Sequence, residues 1–334
     1  MNQSLKSFIA FLLPVALLVP SYLAAASAPL KKVRAAFTAF AYANPPFWIA
    51  KDLHVFEKYG LDVELVYVGG ARNIQALIGG SVDFSQAGGA SVVSAAAQGA
   101  EVVILGTVFR RLIFAVHAVP QIKEIKDLKG KNLAVGNVGG NSYFAGLLFL
   151  SRVGLVPNKD IIVRPVGGTQ EVLTALQHGQ VQGGVMSPPS TGIAARMGFP
   201  QIFDIASLDL PFPTVSVAST RRFADENPET ILNVLRATAE AIYLYKTQPE
   251  LTLPVVAKYM RVPKNDPALR ESYKSYGKQL DQYLRTSPEG IKFILDFLAE
   301  QRLALKSKNS ADFIDLRFVN KLEEEGFFKK FSTK

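Results

Sequence analysis

The chain has 334 residues, 49% of them apolar and 19% charged, with a formal net charge of +9 and no cysteine. That length and composition fit a globular protein of two domains. The missing cysteine excludes disulfide staples, a thiolate nucleophile and a lipidated cysteine. The basic balance is spread along the chain and is densest at Lys306–Lys308 and Lys329–Lys334. These read as solvated helix ends rather than a nucleic-acid surface.

The first residues read as a secretory signal. Lys6 precedes an apolar run, Phe8 to Leu18, and a small-residue stretch, Ser21 to Ala28. Pro14 and Pro20 interrupt the run, which is short for a bilayer span of ~20 residues. Ala24-Ala25-Ala26 and Ala26-Ser27-Ala28 both fit a small-x-small cleavage site, and the first is preferred because Pro29 would follow the other cut, so residues 1–26 are expected to form the signal peptide. The product is expected in a bacterial periplasm.

From there strands and helices alternate. Lys32 to Phe37 predicts a strand and Pro46 to Tyr59 a helix ending at Gly60. Strand follows at Leu61 to Val68, helix at Asn73 to Ile78, strand at Val82 to Gln86, helix at Ala90 to Gln98 and strand at Val102 to Val108. Such alternation predicts a mostly parallel sheet covered on both faces.

The unit then recurs. Ala76-Leu77-x-x-Gly80-x-Val82 matches Ala175-Leu176-x-x-Gly179-x-Val181, and Val68-Gly69-Gly70 matches Val166-Gly167-Gly168. Two copies are too few for a solenoid and predict two similar α/β lobes. Lobe one is expected at 30–115 plus 213–330, and lobe two at 116–212. Two crossings join them, near Phe109 to Val119 and Leu210 to Ala218. Beyond, Asn227-Pro228-Glu229 opens a helical region, with further helices at about 249–260, 267–284, 288–304 and 316–325. Some of these are expected to pack on lobe one.

Ligands of open α/β sheets sit beyond the carboxyl ends of strands. The loops there are Phe40 to Trp48, Ala87 to Ser91, Gly136 to Ser142, Gly167 to Gln170 and Met186 to Ser190. Glycines let a ligand approach backbone N–H groups at helix starts. The loop Ala134 to Gly146 matches neither G-x-G-x-x-G nor the phosphate loop of nucleotide hydrolases, which leaves a helix-start site or a structural turn. Candidate ligand contacts are Gly88, Gly89, Ser91, Asn137, Gly140, Asn141, Ser142, Thr169, Pro188 and Thr214. Tyr42 and Trp48 are candidate aromatic walls, with core packing as the alternative for Trp48. Asn44 and Ser187 are ligand donors or helix caps. Arg110, or Arg111 beside it, pairs with a ligand anion or is a solvated hinge residue.

His54, His117 and His178 lie far apart, and neither H-E-x-x-H nor G-x-S-x-G occurs. No catalytic residue, metal or cofactor is expected. The cleft has donors, aromatics and glycine without acid–base machinery, which is the profile of a binder.

The stretches PPFWIAKDLHVFEKYGLDVELV, ALIGGSVDF and ALQHGQVQGGVMSPP resemble solute-binding proteins of ABC transporters. The branch is the one for nitrate, sulfonates, taurine and thiamine-pyrimidine precursors, and the resemblance covers about residues 32 to 320. It implies the type II periplasmic-binding fold, with two α/β lobes that close on ligand about a two-strand hinge. It also implies a small-molecule ligand, a permease partner, membrane contact only through that permease, and a monomer. Carried over, Tyr42 to Asn44, Gly88 to Ser91, Asn137 to Ser142 and Ser187-Pro188 would line the cleft. The alternatives are a pyrimidine-precursor enzyme on the same fold and a periplasmic sensor subunit. The enzymes of that branch use a cysteine-containing iron motif, which this chain lacks.

Overall fold

The computed structural model describes residues 29–70, 72–301 and 308–331. The signal peptide, the end of the helix expected at 288–304 and parts of both lysine-dense stretches lie outside them. No helix among the described residues is long and apolar enough to cross a membrane.

Two five-stranded mixed sheets carry the fold. The first is ordered β2-β1-β3-β10-β4, from β1 (Lys31–Phe37), β2 (Leu61–Tyr67), β3 (Phe84–Ala87), β4 (Val102–Arg111) and β10 (Pro211–Thr220). The second is ordered β7-β6-β8-β5-β9, from β5 (Ala115–Ala118), β6 (Asn132–Gly136), β7 (Ile162–Gly167), β8 (Gly183–Met186) and β9 (Gln201–Asp204). The orders correspond strand for strand. In each sheet the first three strands are parallel, and the fourth, β10 or β5, is antiparallel to both its neighbours. That fourth strand arrives from the other half of the molecule in both cases. β4 leads through Leu112–Phe114 into β5, and β9 leads through residues 205–210 into β10. β3 and β8 lie at the repeat offset read from the sequence, so the duplication is structural.

Helices cover both faces of the first sheet. α1 (Pro45–Asp52) starts with proline, whose missing N–H is unneeded in a first turn, and packs against α9 (Pro228–Thr247). The single helix expected at 46–59 is divided. α1 stops at Leu53, and His54 adopts φ 56° before the one-turn α2 (Val55–Lys58). The break re-aims the chain so that Val55 and Phe56 enter the core, where Phe56 meets Phe47 and Phe84. α3 (Arg72–Ile78) and α4 (Gly89–Ala97) complete this half.

The second sheet carries α5 (Asn141–Arg152), α6 (Thr169–Gln177) and α7 (Ser190–Arg196). After β10 come α8 (Arg221–Glu226), α9, α10 (Pro249–Met260), α11 (Pro267–Tyr276), α12 (Pro288–Gln301) and α13 (Arg317–Glu324). The helix expected over 267–284 ends at Tyr276, because the following segment runs along β4 instead. Asp281 donates its N–H to Val108 O at 2.8 Å, and Thr107 donates to Leu284 O at 2.9 Å. Most of these C-terminal helices pack on the first sheet. α12 also reaches α5, where Phe297 meets Phe144 with centroids 5.8 Å apart.

Candidate functional site

The carboxyl ends of the parallel strands of both sheets face a single cleft of about 610 Å³. From the first half it is lined by the β1–α1 loop (Thr38 to Ala41, Ala43 and Asn44), the end of β2 and its loop (Tyr67, Gly69, Gly70, Arg72), and the start of α4 (Gly88, Ser91). The second half contributes Gly136 to Val138 with Gly140 to Ser142, Gly167 to Glu171, and Ser187. Ile113, Phe114, Thr214 and Val215 from the two crossings also line it.

Three helices begin at this cleft behind glycine N-caps. Gly88, Gly140 and Gly168 precede α4, α5 and α6 in extended conformation. A glycine offers no capping oxygen, so first-turn N–H groups are left to other partners, and at α4 the Ala90 N–H is taken by Asn141. At α6 one group is taken differently. Glu171 accepts from the Gly168 N–H at 2.8 Å, and its charge offsets the positive end of that helix. Arg72 and Glu171 are the Lys, Arg, Asp or Glu side chains among the lining residues. Arg72 is exposed and makes no ion pair among the described residues. The two formal charges of the cleft cancel, but Glu171 is turned to the start of α6 while the Arg72 guanidinium has no carboxylate partner among the described residues.

The two halves touch along the rim. Asn141 of α5 donates through Nδ2 to Thr214 O at 2.6 Å, and its Oδ1 accepts from the Ala90 N–H at 3.4 Å. Two glycines make this approach feasible. A Cβ on Gly88 would lie 3.0 Å from the Asn141 amide, and one on Gly70, at φ +63°, would collide with the Asn137 amide.

Several expected contacts lie in the cleft with other duties. Asn44 is the N-cap of α1, but its Nδ2 donates backwards to Ala39 O at 3.1 Å. Ser142 accepts from the Gly136 N–H at 3.0 Å and donates to Val185 O at 2.8 Å, so its hydroxyl is spent on holding α5 to the sheet. Thr214 donates to Arg111 O at 2.6 Å and braces the crossings. Ser187 is no helix cap, since Pro189 occupies that position before α7. Ser91, Asn137, Gly140 and Thr169 also line the cleft.

Tyr42, Trp48, Gly89, Arg110 and Pro188 are not among the lining residues. Trp48 is fully buried, stacked on Tyr259 with centroids 5.0 Å apart and 2° between planes, because α1 turns that face inward. Tyr42 points toward α11, hydrogen-bonds Ser272, and has its hydroxyl pKa raised by burial and by Asp266. Gly89 is pressed against Pro213. Arg110 sits 2.9 Å from Asp281 and holds the segment beside β4, while Arg111 pairs with Asp209 at the second crossing.

The wall-forming aromatics are others. Phe40 and Tyr67 stand with centroids 4.8 Å apart and planes at 35°, both resting on Phe37. No group of three or more potential metal-ligating side chains occurs among the described residues. His117 is buried, with Nδ1 3.0 Å from Phe199 O, and its pKa is lowered by burial.

This arrangement has known counterparts. The model of the family described as "NMT1/THI5 like" matches residues 44–251. The chain belongs to the NMT1/THI5-like family. It is 27% identical over 255 residues to a protein of Brucella abortus named as a binding protein, across 74% of this chain and 75% of that one. Its fold matches the periplasmic aliphatic sulphonate binding protein SsuA from Escherichia coli, with a TM-score of 0.69 and 22% identity over 85% of this chain and 97% of that one. It also matches the periplasmic nitrate-binding protein NrtA from Synechocystis PCC 6803, with a TM-score of 0.67 and 16% identity over 91% and 88%. The family member described here thus has the periplasmic binding protein fold.

Proposed function

We propose that this chain is the periplasmic substrate-binding protein of an ABC importer. It captures a small organic or oxyanionic solute between its lobes and delivers it to a permease. The observation that carries this reading is the shared cleft: α4 from one half, α5 and α6 from the other, and both crossings converge on one space. A solute touching both halves stabilises their closed arrangement by its differential affinity.

The names of the relatives support a binding role, and the cleft supports a binder over an enzyme. Its two charged side chains are Arg72 and Glu171, and the second already accepts the Gly168 N–H. General acid–base catalysis needs a group free to take and return a proton. We place lobe one at 30–115 plus 213–330 and lobe two at 116–212, with a cleaved leader at 1–26. The protein acts as a monomer without a cofactor.

A thermal-shift screen tests the reading across sulfonates, nitrate, pyrimidines, aromatic carboxylates and polyamines. A bound solute at a hundred times its dissociation constant adds about 2.7 kcal/mol to stability. A shift from one class is expected. A flat response to every class, or chemical turnover of the solute, contradicts it.

A further inference from the structure

We infer that the cleft selects an aromatic monoanion, a flat ring bearing one carboxylate or sulfonate group. Arg72 receives the anion, and Tyr67 with Phe40 receives the ring. This rests on the binding role proposed above and narrows its ligand class.

Size comes first. A cleft of about 610 Å³ falls in the range of pockets that enclose whole organic molecules, so an inorganic oxyanion would leave most of it filled with water. The lining then divides by chemistry. Tyr67 is 53% exposed although it is a large aromatic residue, and it lines this cleft. Its ring lies over Gly69, where a Cβ would fall 2.7 Å from the Tyr67 hydroxyl, so that glycine gives the ring its place. Phe40 lies beside it, and Phe37 supports both from below with centroids 5.2 and 5.5 Å away. Phe40 also stacks on buried Trp48 at 6.3 Å. The shelf is therefore fixed by the core before any ligand arrives, and stacking on it carries little ordering cost. Val138 of the other half, 62% exposed and also lining the cleft, supplies a second apolar surface.

Charge sets the other end. Arg72, at the start of α3, follows Tyr67, at the end of β2, by five residues, so one short connection places both the ring and the cation. Glu171 is committed to the Gly168 N–H, whereas Arg72 has no ion pair among the described residues. A planar guanidinium matches carboxylate and sulfonate oxygens with paired N–H donors. An aliphatic anion would use Arg72 but leave the rings uncovered, and a neutral ring would do the reverse.

The experiment is titration calorimetry of the full mature chain. Benzoate and benzenesulfonate are compared with hexanoate, hexanesulfonate, nitrate, sulfate and benzamide. The aromatic anions are expected to bind about 5- to 10-fold tighter than the aliphatic ones of equal charge. Tyr67→Leu is expected to erase that gap while hexanoate binding persists, which also shows that the variant is folded. Arg72→Gln is expected to remove the preference for benzoate over benzamide. Aliphatic or inorganic anions that bind as tightly as aromatic ones would overturn the inference and leave the binding role standing. So would failure of all these probes in a protein that still shifts with another solute class. Failure of every solute class overturns the role itself.

Discussion

Asn141 and Thr214 join the two halves of the molecule. The side-chain amide at the first turn of α5 donates to the Thr214 carbonyl at 2.6 Å, and the same side chain accepts from Ala90. Both bonds bridge the halves, so on the proposed role their free energy contributes to closure and to ligand affinity. Asn141→Ala is expected to weaken solute binding about 10-fold with little change in the stability of either half. Calorimetric titration beside a thermal melt checks this.

Glycine at the contact lets the two halves approach closely. Val at 88 would push against the Asn141 amide, and Ala at 70 would meet Asn137 at a backbone angle of φ +63° that suits glycine. Gly88→Val is expected to favour the open arrangement. Small-angle scattering should give a larger radius of gyration than wild type at saturating solute, together with a weaker dissociation constant. A compact variant with wild-type affinity would remove the steric argument.

Trp48 belongs to the core, wedged between Phe37 and Tyr259. Trp48→Ala is expected to destabilise the fold by ~3–5 kcal/mol, read from a denaturant midpoint. Trp48→Phe keeps most of the apolar volume, and its solute affinity at low temperature should match wild type, which it would not if the indole lined the cleft.

His117 gives a pH dependence with a definite sign. Burial lowers its pKa below the ordinary 6.5, so the unfolded chain binds a proton where the folded one does not. Its share of stability is fully present above 6.5 and is lost as pH falls through the folded value. Comparing urea midpoints of wild type and His117→Gln between pH 7.5 and 5 should show a steeper acid loss in wild type. Parallel profiles would remove His117 as the cause.

The duplication made most of the architecture legible. Strand–helix alternation, the Gly-Gly turns and the offset between copies are all covalent spacings, and the two sheets reproduce them in the same strand order. Loop positions carried over for the same reason, because a loop after a parallel strand can end only at that edge. Side-chain direction did not. Tyr42 and Phe40 are two residues apart on one loop, yet Phe40 faces the cleft and Tyr42 faces α11. Local pattern cannot separate them, since the deciding neighbours, Ser272 and Tyr67, are distant in sequence.

Tyr67 and Arg72 were recoverable by a different route. Val68-Gly69-Gly70 is the copy of Val166-Gly167-Gly168, and the second of these segments was already assigned to the cleft. Applying the repeat symmetrically points to the β2–α3 connection. The break at His54 had no such signal, because an apolar helical pattern runs across it.

On the proposed role, both halves clamp one small molecule and return it unchanged. Native mass spectrometry of the mature protein mixed with a solute that shifts its melting point, followed by release and chemical identification of that solute, tests this most directly. One solute per chain, recovered intact, and a lower occupancy of Asn141→Ala at a solute concentration near the wild-type dissociation constant, is the expected result. A covalently altered compound, or an occupancy near the dissociation constant that is unaffected by Asn141→Ala, would contradict this.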